Sequence, residues 1–426
     1  MKKGKKVCSI FFAVLLLLSG CGKEAVPIED YVRSNPTTKN MNGIMKSDTG
    51  YYYCATNRQG LSLHYFDEDS GQNIFLCSKP ECRHDGDAFC TATSEKYAVH
   101  SACFYGGVLY LNVVEKTDTE YLGKLLKVSA DGTELEELVT YLTVNNTSLW
   151  VAQYEPMLIH RGVAVISYML NSAEASVTEG SITGTCFYDL NTEELTELPE
   201  VEYNSSTSRG RSRFAGYGDY IYYNTHQEKK NTLSRYCLTD GTTEDMELLI
   251  NFSGMYEVMN EETVYYTRSG NTLYEYQISN KGTIRHDGLF RRTVISEGDG
   301  QVYTSTESYD CADMMTDGTY FYVGEGVYFR KSGTGYLGVS IDMDGVETPI
   351  KSYVHVFDQE LNEVAKVEIA TEHYMDGEVK FSIAILDGIV YLQTNYTVFS
   401  CTLEEFLAGE VPPFEPVYDV EMEILS

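Results

Sequence analysis

The sequence predicts an all-β chain built as a β-propeller of seven four-stranded blades. Three observations predict it. The 426 residues include 35 tyrosines and 35 glycines but only nine prolines and a single tryptophan, Trp150, a composition rich in strand and turn formers. An aromatic strand motif recurs along the chain. Leu-rich segments closed by Asp-Gly or Lys-Gly follow several of its copies.

The strand motif has seven copies: Gly50 to Tyr53, Gly107 to Leu111, Gly162 to Ile166, Asp219 to Tyr223, Thr263 to Thr267, Gly318 to Tyr322 and Gly388 to Leu392. The turn half is clearest in Lys124 to Thr133, Leu233 to Gly241 and Leu273 to Gly282. Asp-Gly between alternating residues is a strong hairpin signal, because glycine accepts the positive φ of a tight turn. Units recurring every 45 to 70 residues or so fit four-stranded blades with loop insertions. A closed ring leaves only short strand edges. The rival arrangement is a pair of two-sheet sandwiches.

Residues 1–20 predict an address. Four lysines precede residue 7, Val7 to Leu18 is apolar, and Ser19-Gly20 stand just before Cys21. That order is a signal peptide, and its apolar run is shorter than the roughly 20 residues of a membrane-spanning helix. Leu18-Ser19-Gly20-Cys21 resembles the bacterial lipobox, which implies cleavage before Cys21 and lipidation of its thiol. A diacylated cysteine anchors stably where one chain holds marginally. Residues 21–40 are polar, with two prolines and no sustained periodicity, and read as a flexible tether. The propeller domain is expected over 41–426. The expected location is the outer face of the bacterial cytoplasmic membrane, at the cell surface, with contact to the membrane through the lipid alone.

The Leu-Lys-Val-x-x-Asp-Gly-Thr and Leu-x-Arg-Tyr-x-Leu-x-Asp-Gly-Thr segments, with the aromatic strands before them, resemble the β-propeller domains of Gram-positive, Clostridia-type lipoproteins, a domain of unknown function. Those blades are similar to the YWTD propellers of lipoprotein receptors. The resemblance covers about residues 45 to 425. The chain has no Tyr-Trp-Thr-Asp tetrapeptide, so no ligand surface carries over.

The formal charge is −31, and loss of the four leader lysines takes it to −35. Nucleic acid and anionic lipid head groups are therefore poor partners.

Beyond Cys21 the chain has nine cysteines. In an oxidising compartment these read first as disulfide candidates, foremost Cys77, Cys82, Cys90, Cys54 and Cys103. The dense run is Cys77-Ser-Lys-Pro-Glu-Cys82-Arg-His84-Asp-Gly-Asp-Ala-Phe-Cys90. The alternative is a metal: three thiols and one imidazole, Cys77, Cys82, His84 and Cys90, match the ligand preferences of tetrahedral zinc. Zinc is the only cofactor the sequence suggests. Cys186, Cys237 and Cys401 lie in Leu-rich or aromatic strands, where a buried inert thiol is the default.

No Gly-x-Ser-x-Gly, His-Glu-x-x-His, Ser-x-x-Lys or glycine-rich phosphate loop is present, so no catalytic residue is assigned. Asp342-Met-Asp344-Gly345 lacks the glutamate that completes a calcium loop and reads as a plain turn. The expected function is a binding module whose loops take an envelope protein or glycan, because a rigid ring presents many variable loops. The alternatives are an extracytoplasmic hydrolase or lyase acting on polysaccharide or peptide, and metal binding through the cysteine run.

Overall fold

A computed structural model describes residues 33–34, 40–41, 44–57, 60–84, 90–94, 96–145, 150–154, 157–172, 181–198, 214–227, 230–250, 256–267, 272–298, 301–308, 311–325, 340–341, 347–348, 352–369, 382–386, 388–393, 397–408 and 411–419. The leader, Cys21 and the Asp342-to-Gly345 turn lie outside them.

Seven antiparallel sheets follow one another along the chain. Each holds four successive strands as its body. Blade 1 is Ile44–Lys46, Gly50–Asn57, Gly60–Asp67 and Gln72–Phe75; blade 2 is Tyr97–Tyr105, Val108–Lys116, Glu120–Ser129 and Leu135–Asn145. In blade 3 the first strand is split into Trp150–Tyr154 and Leu158–His160, before Val163–Ser172, Ser181–Asp189 and Leu195–Glu197. Blade 4 is Phe214–Tyr217, Tyr220–Gln227, Lys230–Cys237 and Thr243–Ile250, and blade 5 is Tyr256–Val258, Thr263–Thr267, Leu273–Gln277 and Gly282–His286. Blade 6 is Cys311–Thr316, Phe321–Glu325, Ser352–Phe357 and Glu363–Ile369; blade 7 is Ser382–Leu386, Ile389–Gln393, Thr397–Thr402 and Glu415–Asp419. The seven aromatic motifs of the sequence all fall on the second strand of a blade.

Local chemistry sets the turns. Tyr105 pairs with Val108 across Gly106-Gly107, both at positive φ, as the tight mirror-image hairpin turn requires. Between the third and fourth strands, an Asp or Asn carboxyl or amide oxygen accepts a backbone N–H two or three residues on. Asp67, Asp131, Asp189, Asp240, Asn280 and Asp358 do this in blades 1 to 6. Blade 7 uses a short helix instead, Leu403–Leu407, with Thr402 and Glu405 capping each other reciprocally.

Seven apolar cores lie between the blades, and they close the circle. Leu63 and Leu111 share the core of blades 1 and 2, Tyr110 and Ile166 that of blades 2 and 3, and Phe187 and Tyr223 that of blades 3 and 4. Tyr222 and Tyr266 join blades 4 and 5, Tyr265 and Phe321 join blades 5 and 6, and Val354 and Leu392 join blades 6 and 7. The seventh core packs Tyr51 and Tyr53 of blade 1 on Ala384 and Tyr391 of blade 7, with the Tyr51 hydroxyl donating to that of Tyr391 at 3.1 Å. A pair of sandwiches has no place for a first-to-last core; the chain is a seven-bladed propeller. Alternation in each strand explains the tyrosine count: successive residues such as Tyr222 and Tyr223 feed the cores on opposite faces of one blade.

The first strands of successive blades touch one another from blade 1 round to blade 6 and so line the axis. Two short pieces of the stretch 21–40 and its boundary are also strands. Arg33–Ser34 pairs with Phe214–Tyr217 of blade 4, and Asn40–Met41 pairs with Ile44–Lys46 of blade 1. Two further hairpins interrupt the ring, Arg291–Gly298 with Gln301–Ser308 between blades 5 and 6, and Ser340–Ile341 with Glu347–Thr348 within blade 6.

Candidate metal centre

The cysteine run is an excursion from the outermost strand of blade 1. After Phe75, the Leu76 N–H donates to the Leu63 carbonyl at 2.9 Å; the chain departs and returns so that the Leu63 N–H donates to the Ala92 carbonyl at 2.6 Å. Thr93–Ser94 then resumes pairing with Leu61 and Ser62. Both ends of the excursion are thus pinned to Leu63, which is fully buried. Thr91 adds a clasp to blade 2, its hydroxyl donating to the Gly132 carbonyl at 2.6 Å.

Within the excursion one ligand atom from each of Cys77, Cys82, His84 and Cys90 lies within 4.8 Å of the other three. Cys77, Cys82 and Cys90 are free thiols, so no bridge joins the cysteines named first as disulfide candidates. Cys103 is not bridged either; it is buried in the core of blades 2 and 3, its thiol directed to the Phe104 carbonyl. Cys54 sits on the second strand of blade 1 opposite Leu63, and its side chain lies outside the described residues. Cys186, Cys237 and Cys401 are buried free thiols, as expected. Burial, with Glu197 nearby, pushes Cys186 up to about 12, and burial with Glu405 does the same for Cys401.

Local geometry explains how four ligands meet. Pro80 occupies the second position of a turn in which the Cys82 N–H donates to the Lys79 carbonyl at 3.1 Å, a place its fixed φ suits. His84 adopts a left-handed backbone, φ 54°, a conformation that costs a non-glycine residue about 1–2 kcal/mol. That turn brings His84 Nδ1 to 3.5 Å from Cys90 Sγ. Tetrahedral zinc with bonds of about 2.3 Å to sulfur and about 2.0–2.1 Å to nitrogen would set these atoms about 3.6 Å apart.

Each sulfur also receives a backbone N–H. The Thr93 N–H donates to Cys90 Sγ at 3.3 Å. Burial opposes ionisation of Cys77, but donors from Lys79 and Thr91 outweigh it and bring the thiol down to about 7. The His84 N–H favours the Cys82 thiolate, whereas burial and the flanking Cys90 and Cys77 sulfurs push that thiol up on balance. N–H donors suit thiolates, which are the metal-binding form.

Behind His84 stands a column of rings. Tyr53, His64 and Phe75 are direct cross-strand partners in blade 1. Tyr53 and His64 stack at 4.8 Å, His64 and Phe75 at 4.5 Å, and Phe75 and His84 at 4.6 Å with 17° between planes. The candidate imidazole ligand is therefore oriented by a ladder rooted in the core shared with blade 7. The sequence pointed to the four candidate ligands but not to this column, which depends on strand register.

The same ladder encloses one described serine and histidine that approach each other. Ser62 Oγ and His64 Nε2 lie 2.5 Å apart, but Ser62 is 5% and His64 4% exposed, and the imidazole is clamped between Tyr53 and Phe75.

No protein-family profile matches the chain, and no curated protein matches it in sequence. Solved structures similar to it include a prolyl endopeptidase, at 12% identity over all of this chain and 57% of that one, TM-score 0.47. A puromycin hydrolase is similar at 9% identity over 90% of this chain and 54% of that one, TM-score 0.47. An oligogalacturonate lyase in complex with manganese is similar at 12% identity, 68% and 74% coverage, TM-score 0.35. The chain thus spans a little over half the length of the endopeptidase and the puromycin hydrolase.

Proposed function

We propose that this protein is a zinc-stabilised binding propeller, held outside the cytoplasmic membrane by a lipid on Cys21 and offering its loops to an envelope protein or glycan. The observation that carries the zinc reading is the convergence of Cys77, Cys82, His84 and Cys90 within 4.8 Å, with a backbone donor at every sulfur. Four protein ligands fill a tetrahedral shell and leave no position for a reactive water, so the ion's role is structural. The ion cross-links an excursion that has no core of its own and fixes the surface of blade 1. The lipid reading rests on Leu18-Ser19-Gly20-Cys21, and the binding reading on a closed ring that presents many loops.

Metal analysis of the chain from Gly22 to Ser426, purified without reducing agent, tests the zinc reading. One zinc per chain is expected, with all three thiols alkylated only after chelation. A disulfide among Cys77, Cys82 and Cys90 in the folded protein, found by mapping unreduced peptides, overturns it. The same protein, incubated with envelope proteins and separately with wall polysaccharide, tests the binding reading. Shortening of the glycan would move the assignment to an enzyme.

A further inference from the structure

The hairpin between blades 5 and 6 is an arm held by its own ladder. Its eight opposed positions run from Arg291 opposite Ser308 to Gly298 opposite Gln301, with no bulge. Among the described residues it pairs with no other strand, and every side chain from Gln301 to Ser308 is exposed. A two-stranded ribbon alone in water is marginally stable, and further strands are what give such a sheet independent stability. The arm therefore stands to gain from a third strand.

Its edge is open to one. Edge strands usually carry lysine, proline or a bulge against pairing with another chain. Gln301–Ser308 has no lysine and no proline, keeps a regular register, and bears one charged side chain, Glu307. Gly298 and Gln301 flank a two-residue connection, so their hydrogen bonds are exchanged with each other. By alternation the N–H and carbonyl groups of Val302, Thr304, Thr306 and Ser308 point away from the hairpin. Such a row is complementary to another extended polypeptide.

The edge also matches itself. Antiparallel pairing about a two-fold axis at Ser305 sets Thr304 opposite Thr306 of the second copy and Val302 opposite its Ser308, so outward groups meet outward groups. Glu307 then faces Tyr303 rather than another Glu307, and no like charges are opposed. The two rings, each of formal charge −31, come to lie at opposite ends of the joint sheet. An arm of eight residues is about 27 Å long, well beyond the Debye length of about 8 Å at physiological salt.

We propose that Gln301–Ser308 is a dimerisation edge, which pairs antiparallel with the same strand of a second copy and makes one four-stranded sheet from two hairpins. The contact is small, so the dimer belongs to the weak, transient class. The inference uses none of the zinc ligands and stands apart from the metal and lipid readings.

Sedimentation of the chain from Gly22 to Ser426, which contains every strand described, tests it. The mass should rise toward two chains between about 1 μM and about 1 mM. Added salt should tighten the dimer, because it screens the repulsion between two acidic rings. Thr304→Pro removes an outward donor and leaves the hairpin's own ladder intact. By symmetry two donors are lost per dimer, so association should weaken by about tenfold or more. Protein that stays monomeric throughout, or a dimer indifferent to Thr304→Pro, overturns the proposal. A second measurement does not depend on how Thr304→Pro folds. Ser305→Cys sets one thiol opposite its copy across the two-fold axis, at a separation a disulfide spans. Oxidation should link two chains through position 305 in peptide maps, and the absence of that cross-link overturns the proposal equally.

Discussion

Two of the insertions that leave the ring are held in different ways. The hairpin Arg291–Gly298 with Gln301–Ser308 is a ladder of eight opposed positions, and every residue from 301 to 308 is exposed, Val302 by 65% and Tyr303 by 52%. Its backbone satisfies itself. The excursion from Cys77 to Ala92 has no ladder. Among the described residues its internal backbone bonds are confined to turns, and its backbone closes on Leu63 with one side-chain clasp, from Thr91, to blade 2. Such a segment needs a cross-link to repay the entropy of ordering it. The two insertions differ in side-chain chemistry to match: Thr, Ser and Val in the hairpin, and in the excursion the Cys and His of the proposed zinc site.

The excursion is most vulnerable at Cys82, whose sulfur is flanked by those of Cys77 and Cys90. Cys82→Ser should weaken zinc binding by more than about 100-fold, beyond the usual effect of a residue that only supports a ligand. Limited proteolysis should then cut between Cys77 and Ala92 and leave the 291–308 hairpin at its original rate. Equal sensitivity of the two insertions would mean that the excursion does not depend on the metal.

Acid acts on the ring rather than on either insertion, and its effect is best read on zinc-free protein. Burial holds His160 down to about 4, against the pull of its 2.8 Å bond to the Gly218 carbonyl. The unfolded chain takes up this proton near pH 6.5 and the folded one does not until about 4. Stability is therefore intact above pH 6.5 and falls as pH drops toward 4, by up to about 3 kcal/mol. Urea midpoints at pH 7 and 4.5 check this, and His160→Gln should lose less over the same interval.

A smaller effect is expected behind the metal. Phe75→Ala removes the ring that His84 stacks on and should lower zinc affinity by about tenfold, the range for supporting groups. Competition with a chromogenic chelator measures it. No change would make the ring column a feature of blade 1 alone.

Much of the ring was legible in the sequence because blade strands repeat. The aromatic segments mark all seven second strands, and the Asp-Gly and Lys-Gly turns mark junctions in blades 2, 4 and 5. The candidate ligand set was legible because Cys77, Cys82, His84 and Cys90 are near neighbours in the chain. What escaped was long-range pairing. Residues 33–34 carry no alternation of their own, and their partner lies in blade 4, so the stretch reads as tether. The Tyr53–His64–Phe75 column escaped for the same reason: register across three strands, not spacing along one, stacks those rings. The convergence of the four candidate ligands was equally closed to spacing, since it depends on His84 turning left-handed to face Cys90.

X-ray absorption at the zinc edge of the chain from Gly22 to Ser426 tests the central claim most directly. A shell of about three sulfurs near 2.3 Å and one nitrogen near 2.0–2.1 Å is the predicted result. A shell of nitrogen and oxygen without sulfur, or protein that takes up no zinc, would contradict it.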